Sequence, residues 1–158
     1  MATISVSSGS YIRPLSAGGR TRSYKEEASQ TFRRGAVLIQ DATTKDEVEE
    51  AGTDPVARIV GIAAEAASGT ADTQILVHLA EPGVEFVGHV QDTGTLAVGN
   101  IGTNYGLVYD STFTIWRVDL SDTTNVNVTV TRFVDEVGDV NGRVGFQFLS
   151  SVTGIYKG

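Results

Sequence analysis

Between Gly35 and Val90 the chain places short apolar runs between turn-forming residues, and this rhythm limits the fold more than any other feature. Ala36-Val37-Leu38-Ile39-Gln40 leads into a polar turn from Asp41 to Asp46. Ile59-Val60-Gly61-Ile62-Ala63, Gln74-Ile75-Leu76-Val77-His78-Leu79 and, after Glu81-Pro82-Gly83, Val84-Glu85-Phe86-Val87-Gly88-His89-Val90 follow. Ile75, Val77 and Leu79 fall on one face of an extended chain and Gln74, Leu76 and His78 on the other. Val84, Phe86 and Val90 alternate in the same way with Glu85, Val87 and His89. Short period-two runs bounded by turn residues predict the strands of a compact β barrel or sandwich.

Two stretches in this region also have helical features. Lys45 to Ala51 has helix propensity, yet it holds only two apolar residues and stops at Gly52-Thr53-Asp54-Pro55, which favours a hairpin or irregular excursion. Ile59 to Ala67 is rich in alanine, but its Val-Gly-Ile start and its neighbours favour a buried strand. Beyond Gln91 a glycine-rich connection, Val98 to Gly106, precedes four more predicted strands at Tyr105–Asp110, Phe113–Leu120, Val126–Val134 and Val144–Leu149. In the second of these, Phe113 and Ile115 oppose Trp116, Val118 and Leu120, so both faces are apolar and the strand belongs at the centre of a sheet or at an interface. Val126, Val128 and Val130 alternate with Asn127, Thr129 and Thr131, the pattern of a half-exposed strand.

The first 31 residues differ in kind. They are rich in Ser, Gly, Thr and Arg, and their apolar residues are scattered. Such a segment buries too little apolar surface to offset roughly 1–2 kcal/mol per residue of backbone ordering. By itself it is expected to be a mobile arm, with a reach on the order of 100 Å when extended. Ser5–Ser10 and Ser23–Phe32 have the character of strands that add to another protein's sheet edge. Charge sets the N-terminal region apart as well: over residues 1–35, Arg13, Arg20, Arg22, Lys25, Arg33 and Arg34 face only Glu26 and Glu27, a balance of +4 within a chain of net charge −7. A basic arm on an acidic body points to a partner surface, with a merely solvated tail as the alternative. The overall acidity argues against general binding to nucleic acid.

The chain has no cysteine, which removes disulfides, thiol nucleophiles and thiolate metal sites. No apolar run approaches the roughly 18 residues of a membrane span, and Met1-Ala2-Thr3-Ile4-Ser5 lacks the pattern of a signal peptide. The two histidines, His78 and His89, would need converging carboxylates such as Glu85 to hold a metal, and exposed or interface histidines explain them equally well. Asp135 to Gly142 looks like a calcium loop but has Val137 and Phe148 where that pattern requires acidic residues, so Asn141-Gly142 reads as a hairpin turn. Gly99 to Gly106 lacks the Gly-Lys-Ser/Thr ending of a phosphate loop. There is no Gly-x-Ser-x-Gly elbow, and no carboxylate pair stands out for glycoside hydrolysis. Asn127-Val128-Thr129 matches a glycosylation acceptor in a chain without a secretory signal. No catalytic residue, metal ligand or cofactor-binding residue is assigned.

Gly35 to Asp41, Ala57 to Ala64, Ile75 to Leu79 and Pro82-Gly83-Val84-Glu85-Phe86 resemble, in order and texture, the lambda-type head decoration proteins of tailed bacteriophages. The resemblance covers about the middle third of the chain. It implies a structural, non-enzymatic virion protein that binds the exterior of a mature capsid, contacts the major capsid protein and itself as a homotrimer at threefold positions, and uses no cofactor, nucleic acid or membrane. It would be made in the host cytoplasm.

The expected fold is mainly β, with a barrel or β-tulip-like core, an extended basic arm at 1–34, a core at 35–92 and a C-terminal β lobe or barrel continuation at 93–158. Ile4, Val6, Tyr11, Ile12, Arg13, Arg20, Arg22, Lys25, Arg33 and Arg34 form the expected capsid-binding arm. His78, Glu85, His89 and Trp116 form the expected subunit interface. A head-fibre base, a tail component and a carbohydrate-binding β domain with Trp116 or Tyr105 as its aromatic platform are the alternatives.

Overall fold

The computed structural model describes residues 1–15, 19–55 and 57–154. Among them the chain is built from strands, with a single 3-10 turn at Val98–Asn100. The strands are β1 (Arg13–Pro14), β2 (Thr21–Glu26), β3 (Val37–Gln40), β4 (Glu47–Glu50), β5 (Ile59–Ala63), β6 (Gln74–Leu79), β7 (Phe86–His89), β8 (Asn104–Asp110), β9 (Ile115–Asp119), β10 (Val128–Phe133) and β11 (Arg143–Phe148).

Strands β2 to β6 close into a barrel in the order β2-β4-β3-β5-β6, with β6 returning to β2. All its pairs are antiparallel except β2 with β4. The alternation read in β6 is realised: Ile75, Val77 and Leu79 are buried, Gln74 and Leu76 are exposed, and His78 is half-buried. Lys45 to Ala51 does not form a helix. Glu47–Glu50 pairs with β3 as a hairpin, and Asp41 Oδ1 accepts from the Thr43 and Thr44 amides to hold the turn. Where β5 crosses β6, a Cβ on Gly61 would lie 1.9 Å from the His78 carbonyl oxygen, so only glycine allows that approach.

The other strands form a second sheet in the order β1-β7-β11-β10-β8-β9, antiparallel throughout. It curls until its two sides meet: Val90, just past β7, bridges Val118 of β9. Phe86, Phe146 and Phe148 fill the curl, Phe86 and Phe148 meeting edge-on at 5.5 Å between ring centroids. Buried side chains of the two sheets form one continuous core. The sheets are also joined by hydrogen bonds from the Ile59 amide to the Val152 carbonyl and from Asn127 Nδ2 to the Pro55 carbonyl.

The mainly β fold with a closed barrel matches the sequence expectation, but two boundaries move. The barrel takes in β2, a strand from the segment expected to be an arm. It ends with β6, because β7 pairs with β1 and β11 and so belongs to the second sheet. The rest of the N-terminal segment is also tied to the body. Thr3 bridges Val140, the Ile4 amide donates to the Val140 carbonyl, β1 pairs with β7, and Ile12 is buried. The physical reason is that the partner for these strands lies within the same chain. Backbone pairing and burial of Ile12 offset an ordering cost that the local composition does not cover.

Candidate binding surfaces

The residues expected to contact a capsid divide by burial. Ile4, Val6 and Tyr11 are half-buried and Ile12 is fully buried, so part of their apolar area is spent within the chain. Arg20 is exposed and paired with Glu81, and Lys25 bridges Asp46 at 2.9 Å and Asp72 at 3.5 Å. Arg22 lies 5.4 Å from the centroid of the Tyr24 ring, a cation–π distance. Arg13, Arg33 and Arg34 are exposed and form no ion pair among the described residues.

Glu26, the acid that closes β2, is fully buried and holds the loop beyond β5 in place. Its two carboxylate oxygens accept from the Ser68 and Gly69 amides at 2.8 and 2.6 Å. The N-terminal segment therefore brings its cations to the surface on a fixed backbone.

His78, Glu85, His89 and Trp116, expected at one subunit interface, do not come together. His78 lies on the barrel, where burial and then the Arg34 charge hold its imidazole below its ordinary pKa. Glu85 accepts from Arg132 Nε and Nη2 at 2.9 and 2.6 Å and from Thr131 Oγ1 at 2.8 Å, and these bonds, the Arg132 pair foremost, lower its carboxyl pKa. His89 is 6% and Trp116 3% exposed, which leaves them little surface for another subunit. Strand β9 owes its two apolar faces to the curl of the sheet: Ile115, Trp116, Arg117 and Val118 are all buried within the chain.

Trp116 instead forms the floor of a cleft between the sheets. Its Nε1 donates to Glu50 Oε1 at 3.3 Å, and Tyr109 tilts against it with ring centroids 5.7 Å apart. A hollow of about 510 Å³ on one side of this group reaches Thr31, Arg33 and Thr114. A second of about 370 Å³ reaches Thr53 and Asp54. Burial raises the Glu50 carboxyl above its ordinary value, against the lowering effect of the Trp116 hydrogen bond. Tyr109, 44% exposed, is the aromatic ring this cleft offers to solvent, whereas Trp116 and the 5% exposed Tyr105 do not make the platform expected of a sugar-binding domain.

The motifs weighed for chemistry have structural duties. Asp135 binds Arg143 through three hydrogen bonds of 2.7–2.9 Å, and Asp139 accepts from the Ala2 and Glu136 amides at 2.8 and 3.0 Å. These acids are committed to the protein, and no group of three or more potential ligands gathers at a metal-sized site among the described residues. Asn127 of the glycosylation-like triplet is fully buried, its Oδ1 accepting from the Leu107 amide at 2.9 Å. Among the described residues, no helix is long and apolar enough to cross a membrane.

Arg117 belongs to no motif in the sequence. It is 1% exposed and donates to the Val90 carbonyl at 2.7 Å, Asp110 Oδ2 at 2.7 Å and Asn141 Oδ1 at 3.2 Å. It thereby ties β9 to the end of β7 and to the turn before β11. A lone cation in the apolar run Ile115-Trp116-Arg117-Val118 is the signal that would have exposed it.

The fold and these surfaces define an all-β protein of a closed barrel joined to a curled sheet. No family model matches the chain, and no curated protein is significantly similar to it.

Proposed function

We propose that this protein is a structural component of a tailed-phage virion, bound outside the mature capsid, where it stabilises the shell by bridging major capsid protein subunits. The observation that supports this reading best is the set of exposed arginines Arg13, Arg33 and Arg34, which form no ion pair among the described residues and are carried by a protein of net charge −7. Such cations suit an acidic partner surface, because they add attraction without the cost of breaking an existing pair. The resemblance of the Gly35–Phe86 region supplies the capsid and the homotrimer at threefold positions. The mechanism is linkage: a protein that binds only the expanded lattice stabilises it by its binding free energy, multiplied over many copies.

Sedimentation with purified capsid shells tests the reading. Binding to expanded shells but not to unexpanded ones is expected, weakening with salt and in the triple variant Arg13→Gln/Arg33→Gln/Arg34→Gln. Undiminished binding by the triple variant would remove the role of these arginines, and failure to bind expanded shells would sink the capsid assignment. In a reconstruction of the particle, density at one vertex or on the tail would instead assign the protein to a head-fibre base or tail structure.

A further inference from the structure

The N-terminal segment and the second sheet enclose a cleft of about 210 Å³ whose lining includes Arg13, His89 and Arg143 but no carboxylate. That is unusual in a chain with 19 acidic and 12 basic residues. Asp135 is turned to the guanidinium of Arg143, using its Nε and Nη2, and Nη1 makes no hydrogen bond among the described residues. Arg13 has no ion-pair partner among the described residues. Ser10 Oγ accepts from the Ser7 amide at 3.1 Å, which leaves its hydroxyl proton available to donate.

His89 completes the set. Its Nδ1 lies 2.7 Å from the Asn141 carbonyl oxygen, a contact that requires the proton on Nδ1 and leaves Nε2 as the variable nitrogen. Among the described residues Nε2 has no hydrogen-bond partner, yet it is not sealed in the interior, where the buried unpartnered side-chain atom is Tyr24 Oη. The opening that His89 borders is this cleft.

We propose that the cleft is an oxyanion site, in which Arg13, the free edge of Arg143 and the protonated Nε2 of His89 hold a carboxylate or sulfate-like group. The ligand is either a free anion or an acidic side chain of another protein, since both present the same oxygens. Proton uptake accompanies binding. The His89 imidazole is held below its ordinary value, first by burial and then by the charges of Arg117 and Arg143, against the Asn141 hydrogen bond and the Asp135 charge. Arg117 is itself paired with Asp110. A bound anion favours the imidazolium, so affinity rises as pH falls. The site stands whether or not the protein decorates a capsid.

The chain has only two histidines, so proton NMR follows both imidazoles. The probe is sodium sulfate, which remains a dianion across the titration, compared with sodium chloride at matched ionic strength. Sulfate is expected to raise the His89 midpoint by about half a pH unit or more while leaving His78 on the barrel unmoved. Arg13→Gln, a change at an exposed side chain, is expected to abolish the sulfate-specific shift, and Arg13→Lys to retain part of it. Equal shifts in sulfate and chloride, a parallel shift of His78, or a full response in Arg13→Gln would each overturn the proposal. Displacement of sulfate by a tetra-aspartate peptide assigns the oxyanion to a protein partner, and sulfate binding without such displacement assigns it to a free anion.

Discussion

Arg117 and His89 show what buried polar side chains cost and contribute. The Arg117 guanidinium, 1% exposed, satisfies Asp110, the Val90 carbonyl and Asn141 together. Arg117→Met preserves much of the side-chain volume but leaves those acceptors unmatched and Asp110 without its counter-charge. A loss of about 3–5 kcal/mol is expected from breaking such a pair, read as a lower urea midpoint with an unchanged slope. An unchanged midpoint would show that the network contributes nothing. For His89 the sign follows from its depressed value in the folded state. Below the ordinary histidine value of about 6.5 the unfolded chain binds more protons, so acidification from about pH 7 to below 6 lowers stability. His78 is shifted the same way and adds to the loss. His89→Gln is therefore expected to flatten part of this pH dependence, and the double variant with His78→Gln more of it. Urea midpoints at several pH values provide the check.

Strand β2 holds two parts of the barrel in place. It closes the barrel between β4 and β6, and its terminal Glu26 fixes the loop at Ser68 and Gly69. Deleting residues 2–31 removes both functions and exposes two unpaired strand edges. The expected outcome is loss of the native near-ultraviolet circular dichroism and a tendency to aggregate. A truncated chain with a native spectrum would overturn the role given to β2. Glu26→Gln isolates the carboxylate: one acceptor oxygen becomes an NH2 group facing a backbone N–H, at a cost of about 1–3 kcal/mol, again measurable by urea unfolding. Neither β2 nor its acid was legible as part of the core. Thr21, Ser23 and Lys25 on one side and Arg22, Tyr24 and Glu26 on the other offer no apolar alternation, so the partners β4 and β6 had to be known first.

The whole molecule behaves as one body because a single core runs through both sheets, reinforced where Trp116 meets Glu50 and Asn127 meets Pro55. Trp116, the sole tryptophan, sits at that junction. Its fluorescence and the far-ultraviolet signal of the strands are expected to change together on unfolding, and two separated transitions would show independent sheets. Strands β3, β5, β6 and β8 to β11 followed from short apolar runs, alternation and turn chemistry, because a strand's period of two is written in adjacent residues, whereas Glu47–Glu50 read only as a hairpin or irregular excursion. The absence of thiol chemistry followed from composition alone. Which strand joins which sheet did not, since β7 looks the same in sequence whether it pairs within the barrel or, as it does, with β1 and β11. The burial of Glu26 and Arg117 and the gathering of Arg13, His89 and Arg143 around one cleft were also decided only in three dimensions. Pairing and charge proximity join residues far apart in the chain, and their energies depend on distances that no local pattern encodes.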